Sequence, residues 1–330
     1  MRLEEATLPD YLRRLGWLAD GEAVAVQKAG DGNINWVRRA RAGDRSVVVK
    51  QARPQLERFP EYQAPTDRIV CEARYWEIAK PLDRAGVAPT VIAFDAASRV
   101  LLLEDLGDVP RLDVAMREGV DPAAVAERIA RFLGAVHAAT AGDATLARHF
   151  PNEGMRRLHG EHIFVLPFHA NEFALDPRVR TRAEAIWRDG RVREIAARAY
   201  DRYLEPHGAL VHGDVQAGNV MLAERGAVLL DAEIAHIGDP AFDVGTLFAH
   251  LWLPAVATGS AAAANAALGA AWQGYATLRP DAGAQLRSDA TRYAGIEMLR
   301  RTLGAARVAA VSDPRASLRV VDFALALLGT

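Results

Sequence analysis

Asp214 and Asn219 are held in the run Leu210-Val211-His212-Gly213-Asp214-Val215-Gln216-Ala217-Gly218-Asn219. An Asp-x4-Asn spacing suits phosphoryl transfer. The carboxylate orients an attacking hydroxyl and accepts its proton, while the amide oxygen binds a metal. Asp231 follows the apolar pair Leu229-Leu230, and Glu233 lies two positions beyond it. Both offer the hard anionic oxygens that Mg²⁺ prefers.

Two features upstream could serve the same chemistry. Gly30-Asp31-Gly32-Asn33-Ile34-Asn35 lies between two extended runs. Glycines there let the backbone turn tightly and bring N–H groups to an anion, although the same residues also make a plain hairpin. It is no dinucleotide fingerprint, since a strand rather than a helix follows. Lys50 closes the run Val47-Val48-Val49 and is one of only three lysines, with Lys28 and Lys80, in a chain whose other basic residues are arginine. A lysine there can guard a sheet edge. It can also clamp a phosphate as a point charge, held by a carboxylate of the next helix. Glu72 is the better placed partner and Glu77 the rival. A hairpin whose Asp and Asn only make turns does not account for the whole set, because the glycine turn, the lysine, the Asp-x4-Asn loop and the acidic pair occur in that order.

These residues need a scaffold. Residues 22–51 alternate as a three-stranded antiparallel meander that turns at Ala42-Gly43-Asp44. An irregular stretch over 53–66 holds Pro54, Pro60 and Pro65, with Phe59 and Tyr62 among them. Asp67 can then cap a helix running to about Ala85, with Ile69, Val70, Ala73 and Trp76 on one stripe. Val91–Phe94 and Val100–Leu103 read as further strands, and Glu104-Asp105-Leu106-Gly107 as a crossover. Beyond residue 120 the pattern is helical over 122–140, 181–204, 259–276, 284–311 and 315–328, interrupted by short apolar runs at Ala209–Val211 and Val228–Leu230. The expected architecture is α+β in two lobes. A small antiparallel-sheet N-lobe (1–105) binds nucleotide, and a larger, mainly helical C-lobe (106–330) carries the catalytic loop, the metal and the acceptor.

Composition narrows the classes. The chain has 330 residues, with 50% hydrophobic and 25% charged side chains, which is globular composition. Lys+Arg at 40 against Asp+Glu at 42 gives a net charge of −2. No basic surplus speaks for nucleic acid as a partner. No apolar run reaches a membrane span, and the acidic start Met1-Arg2-Leu3-Glu4-Glu5 is unlike a signal peptide. With one cysteine, Cys71, the expectation is a reducing cytoplasm. Cys71 itself reads as buried and inert. The nine histidines form no zinc spacing: His159 and His162 lack a completing pair and read as surface or pocket residues, and His236 and His250 as packing. No G-x-S-x-G elbow is present for a serine hydrolase. Trp252 and Trp272 read as core.

The stretch from about Gly30 to Asp243, with its core VHGDVQAGNVML…LLDAEIAHIGDPAFDVG, resembles the aminoglycoside phosphotransferase and choline kinase superfamily, which has a protein-kinase-like fold. Within it the segments GDGNINWV, SVVVKQA, the Asp231-x-Glu233 pair, FDVG and MLRRTLGAARV are most similar to the 5-methylthioribose kinases. The resemblance implies ATP and Mg²⁺ as cofactors, with Asp214 as the base. It implies Asn219, Asp231 and Glu233 at the metal, and Lys50 with Glu72 at the α/β-phosphates. Gly30, Asp31, Gly32 and Asn33 would lie over the phosphates, with Glu104, Asp105 and Leu106 as the adenine-binding hinge. Asp243 would brace the catalytic loop. Arg300 and Arg301 correspond to an Arg pair of the methylthioribose pocket, while as plain sequence they read as a solvent-facing pair. Many relatives have His at the place of Gln216.

The expected activity is transfer of the ATP γ-phosphoryl group to a hydroxyl of a sugar-like metabolite, 5-methylthioribose first. An aminoglycoside, a choline-like alcohol, homoserine or another sugar is the alternative acceptor. A nucleotide-binding regulator without catalysis is the rival of another class. The expected partner is a small hydroxylated molecule, with no nucleic acid and no membrane, and a homodimer is left open.

Overall fold

A computed structural model describes residues 1–30, 34–55, 63–143 and 145–330. The short helix α1 (Leu8–Arg14) precedes three strands, β1 (Ala25–Lys28), β2 (Trp36–Ala42) and β3 (Arg45–Gln51). Helix α2 (Arg68–Ala79) leads into β4 (Val91–Asp95) and β5 (Val100–Glu104). The five strands form one antiparallel sheet in the order β1-β2-β3-β5-β4. Gly43, at φ +56, takes the first place of the two-residue β2–β3 turn, a backbone region where a side chain is strained.

The period of two along β3 decides where Lys50 goes. Val47 and Val49 pack with Leu8, Tyr11 and Leu12 of α1 on one face of the sheet. Val48 packs with Ile69 and Ala73 of α2 on the other. Lys50 shares the parity of Val48, so its side chain lies on the α2 side.

The rest of the chain is mainly helical. Helices α3 (Leu112–Arg117), α4 (Ala123–Thr140), α5 (Glu153–Gly160), α6 (Pro177–Arg188) and α7 (Gly190–Leu204) are followed by β6 (Ala209–Val211), β7 (Val220–Ala223), β8 (Gly226–Leu229) and β9 (His236–Gly238). Then come α8 (Pro240–Ala257), α9 (Asn265–Leu278), α10 (Ala284–Leu303) and α11 (Pro314–Leu328). β6 pairs with β9 and β7 with β8, both antiparallel. Helix α8 buries 14 of its 18 residues. Gly245 lets it approach α10 closely, since a Cβ there would lie 2.5 Å from the Ala290 carbonyl oxygen. Among the described residues no helix is long and apolar enough to cross a membrane.

Several expectations are corrected. Asp67 does not cap α2; its carboxylate pairs with Arg99 at 2.6 Å instead. The buried face of α2 is broader than the expected stripe and includes Arg68, Cys71, Glu72 and Tyr75, while Val70 is half-buried. The single helix expected over 181–204 is two, because Asp189 caps the second by accepting from the N–H groups of Arg191 and Val192. The helix expected to run to 311 stops at Leu303. α8 is absent from the sequence-based expectation: a helix apolar on all sides shows no amphipathic period. The 30–33 turn beyond Gly30 and the Phe59–Tyr62 stretch lie outside the described residues.

Candidate active site

Lys50 meets carboxylates from α2 and from the segment after β8. Its ammonium lies 2.6 Å from Glu72 Oε2 on α2, contacts Asp231 directly and stands 3.9 Å from Glu233. Glu72, not Glu77, is therefore the helix partner; Glu77 points to solvent. Burial disfavours the charged ammonium, but the carboxylates of Asp231, Glu72 and Glu233 outweigh it, and the Lys50 pKa is raised. Glu72 responds the other way: burial, with Asp231 and Glu233 adding negative charge, lifts its carboxyl to about 7 against the pull of Lys50.

Asp231 follows β8 with φ +74, one of two non-glycine residues of positive φ among those described. Such backbone costs energy and clusters at functional sites. The Asp231 carboxyl pKa is lowered, because Lys50 offsets its burial. Glu233 is more enclosed. Asn35 Nδ2 donates to its Oε2 at 2.6 Å, and Arg68 Nε lies 3.4 Å away. Burial, with Asp231 adding to it, raises the Glu233 pKa.

The 212–219 loop is tied to α8. Asp243 on α8 accepts from the backbone N–H groups of His212 at 2.7 Å and Gly213 at 2.9 Å. His137 Nε2 lies 3.2 Å from the same carboxylate, and His137 Nδ1 lies 3.0 Å from the Tyr275 hydroxyl. His212 accepts the Asp214 N–H on Nδ1 at 3.2 Å, and its ring meets Tyr75 and Trp76 of α2 edge-on. The elements bearing Glu72 and Asp214 are thus in direct contact.

Asp214 Oδ2 accepts from Gln216 Nε2 and Asn219 Nδ2, both at 2.8 Å. Its Oδ1 is buried and accepts no hydrogen bond. Because the Asn219 amide nitrogen is spent on Asp214, its Oδ1 remains for another ligand. Leu230 N donates to the Asn219 carbonyl at 2.8 Å, which sets Asn219 beside the Asp231 segment. Asn219 and Asp231 together offer oxygen donors only, the set that Mg²⁺ takes. The carboxylates of Glu72, Asp231 and Glu233 also approach within 4.8 Å of one another, but the Lys50 ammonium already stands among them.

Arg300 and Arg301 do not face solvent. Both are buried on α10, where Glu297 holds Arg301 Nε at 2.6 Å and Arg300 Nη1 at 3.1 Å. Arg301 Nη2 lies 3.8 Å from Asp214 Oδ1. His250 borders Glu297 at 3.4 Å. His159, expected at a surface or in a pocket, is buried, and neither ring nitrogen has a hydrogen-bond partner. Burial and the nearby Arg300 push its pKa well down.

The residues expected as the hinge contact Arg39 of β2 and Arg225 of the β7–β8 turn. Glu104 ends β5 and accepts from Thr90 N and from Arg225 of the β7–β8 turn. Asp105 accepts from Arg39 Nε at 2.9 Å and from Gly107 N at 3.0 Å. Leu106 lies between, half-buried. Gly30 has φ +65, and Asp31, Gly32 and Asn33 are outside the described residues. Sequence reasoning missed Arg68 and Glu297. A usable signal was their helical spacing: Arg68 stands four residues before Glu72, and Glu297 three and four before the Arg pair.

A model of the Phosphotransferase enzyme family matches residues 25–280. The chain is 26% identical to a methylthioribose kinase of a Geobacillus species, over 95% of this chain and 87% of that one. It is 24% identical to a methylthioribose kinase of Bacillus cereus, over 94% and 86%. Among solved structures, a choline kinase from Cryptosporidium parvum Iowa II superposes with a TM-score of 0.60 at 12% identity, covering 99% of this chain and 96% of that one. The two-lobed protein-kinase-like fold expected from the sequence is the fold of this chain.

Proposed function

The chain belongs to the phosphotransferase enzyme family, and we propose that it moves the γ-phosphoryl group of ATP to a hydroxyl of a small sugar-like acceptor, 5-methylthioribose. One observation carries the reading: Asp214 keeps one carboxylate oxygen fixed by Gln216 and Asn219 and the other buried and unspent, facing Arg301.

In this reading residues 1–105 grip the nucleotide and residues 106–330 the acceptor. Lys50, held by Glu72, binds phosphate oxygens. Glu104 to Leu106 offer backbone groups to adenine. Asn219 Oδ1 and Asp231 would hold Mg²⁺, with Glu233 beside them, and the ion supplies neutralising charge to the phosphate oxygens. Asp214 Oδ1 orients the acceptor hydroxyl and takes its proton. Arg301 and Arg300 bind sugar oxygens from the opposite side. Two buried arginines beside the base disfavour a cationic acceptor, which supports a neutral sugar over an aminoglycoside or a choline-like alcohol.

The test is ADP release from Mg·ATP with a panel of methylthioribose, ribose, choline, homoserine and aminoglycosides. Preferred turnover of methylthioribose is expected. A cationic acceptor with the highest kcat/KM would overturn the acceptor assignment, and no ADP release with any compound would overturn the reading of the site.

A further inference from the structure

Arg68, in the first turn of α2, is fully buried. Burying a guanidinium is costly unless its donors are matched, and all three of its nitrogens are used. Nε and Nη2 donate to Asn35 Oδ1 at 3.1 and 2.8 Å. Nη1 donates to the Pro65 carbonyl at 2.8 Å, and Nη2 also to the Arg53 carbonyl at 3.1 Å. Nε stands 3.4 Å from Glu233 Oε2.

Asn35 is the relay. Its oxygen is taken by Arg68, so its amide N–H is left to donate to Glu233 Oε2 at 2.6 Å. Glu233 is anchored on its other side, where Asn152 Nδ2 donates to the carbonyls of Glu233 at 2.8 Å and Ala235 at 3.1 Å. Asn35 stands in sequence between the 30–33 segment and β2, and Glu233 two residues after Asp231.

We infer that Arg68 is a positioning residue for phosphoryl transfer: through Asn35 it ties the entry to β2 to Glu233 and so sets the separation between the small-lobe and large-lobe halves of the nucleotide site. This rests on the functional reading above for Lys50, Asp231 and Glu233. Fork geometry is essential. A lysine keeps the charge but cannot reach Asn35 and the Pro65 and Arg53 carbonyls together.

The experiment uses the full chain and two variants, Arg68→Lys and Asn35→Ala. Asn35→Ala leaves Arg68 its Pro65 and Arg53 carbonyl partners, and it tests the Asn35 relay on its own if Arg68→Lys does not fold. Hydrogen exchange without nucleotide is expected to rise at both 34–38 and 231–236 in each variant. The KM for ATP is expected to rise about tenfold, in line with loss of one charge-assisted hydrogen bond, with the acceptor KM within about twofold. Faster exchange confined to 53–69, or equal rises in both KM values, would overturn the inference. If the wild-type chain turns over no acceptor, the proposed function fails, and the exchange at 34–38 and 231–236 still decides whether Arg68 joins the two segments.

Discussion

Arg301 Nη2 and Asp214 Oδ1 face each other at 3.8 Å, both buried and neither hydrogen-bonded. That is too long for a direct hydrogen bond and short enough for one intervening oxygen, about 2.8 Å from each, to complete both. Each side chain is fixed by other partners, Asp214 by Asn219 and Arg301 by Glu297, and in the proposed function the gap between them takes the acceptor hydroxyl.

Asp214→Asn should therefore lower kcat by about a hundredfold or more, the usual weight of a positioned base. ATP affinity should change little, because Lys50 and Asp231 are untouched. Steady-state ADP release and nucleotide-induced thermal shift measure the two. Near-normal turnover would remove Asp214 from the role of base.

Arg300→Ala should raise the acceptor KM far more than the ATP KM. It also leaves the buried Glu297 with Arg301 as its remaining guanidinium partner, so a Tm decrease should accompany the kinetic effect. Equal changes in both KM values would take Arg300 out of the acceptor pocket.

Lys50→Met removes the cation that Glu72, Asp231 and Glu233 share. Turnover should fall to near background. The Glu72 carboxyl, already at about 7, should rise further. A folded pKa above the unfolded value of about 4.5 means that the folded chain binds the extra proton in that window. The variant should thus gain stability relative to wild type as the pH falls from 8 to 6. A Tm difference independent of pH across that range would contradict this account of the cluster.

His236 gives the opposite sign. Burial, with Arg156 nearby, pushes its pKa down to about 3, and its ring interacts with the Ile234 carbonyl through Nδ1 at 2.7 Å. The unfolded chain binds the same proton near pH 6.5. Its contribution to stability is complete above about 6.5 and is lost as the pH falls toward 3, at up to about 1.4 kcal/mol per pH unit. His236→Asn should lower stability at pH 7.5 and flatten the acid-side decline. An unchanged slope in Tm against pH would show that His236 does not titrate on unfolding.

Asp243→Ala should leave the buried N–H groups of His212 and Gly213 without their acceptor, at a cost of roughly 2 kcal/mol or more. Thermal denaturation should show it as a drop of several degrees, with kcat falling as the catalytic loop loses its support. A Tm equal to wild type would mean that another group satisfies the loop.

Residues close in the chain were legible without coordinates. Asp214, Asn219 and Asp231 share one loop and the hairpin after it, so spacing alone orders them. The strands around Gly43 were legible because alternation and a glycine turn are local properties. Lys50 could be singled out, but its partner could not, since Glu72 and Glu77 both lie on the next helix. Only packing chose Glu72, by burying the face of α2 that also bears Arg68 and Tyr75. α8 escaped notice because burial on every side erases the period that marks a surface helix. As plain sequence the Arg300–Arg301 pair read as solvent-facing, because a charge is cheap to leave in water, and only the family resemblance put it in a pocket. Only the tertiary structure supplies the buried Glu297 network and the Asp214 carboxylate that make the interior tolerable for them. Local geometry is written in neighbouring residues, whereas the desolvation of a charge depends on groups that the chain brings together only by folding.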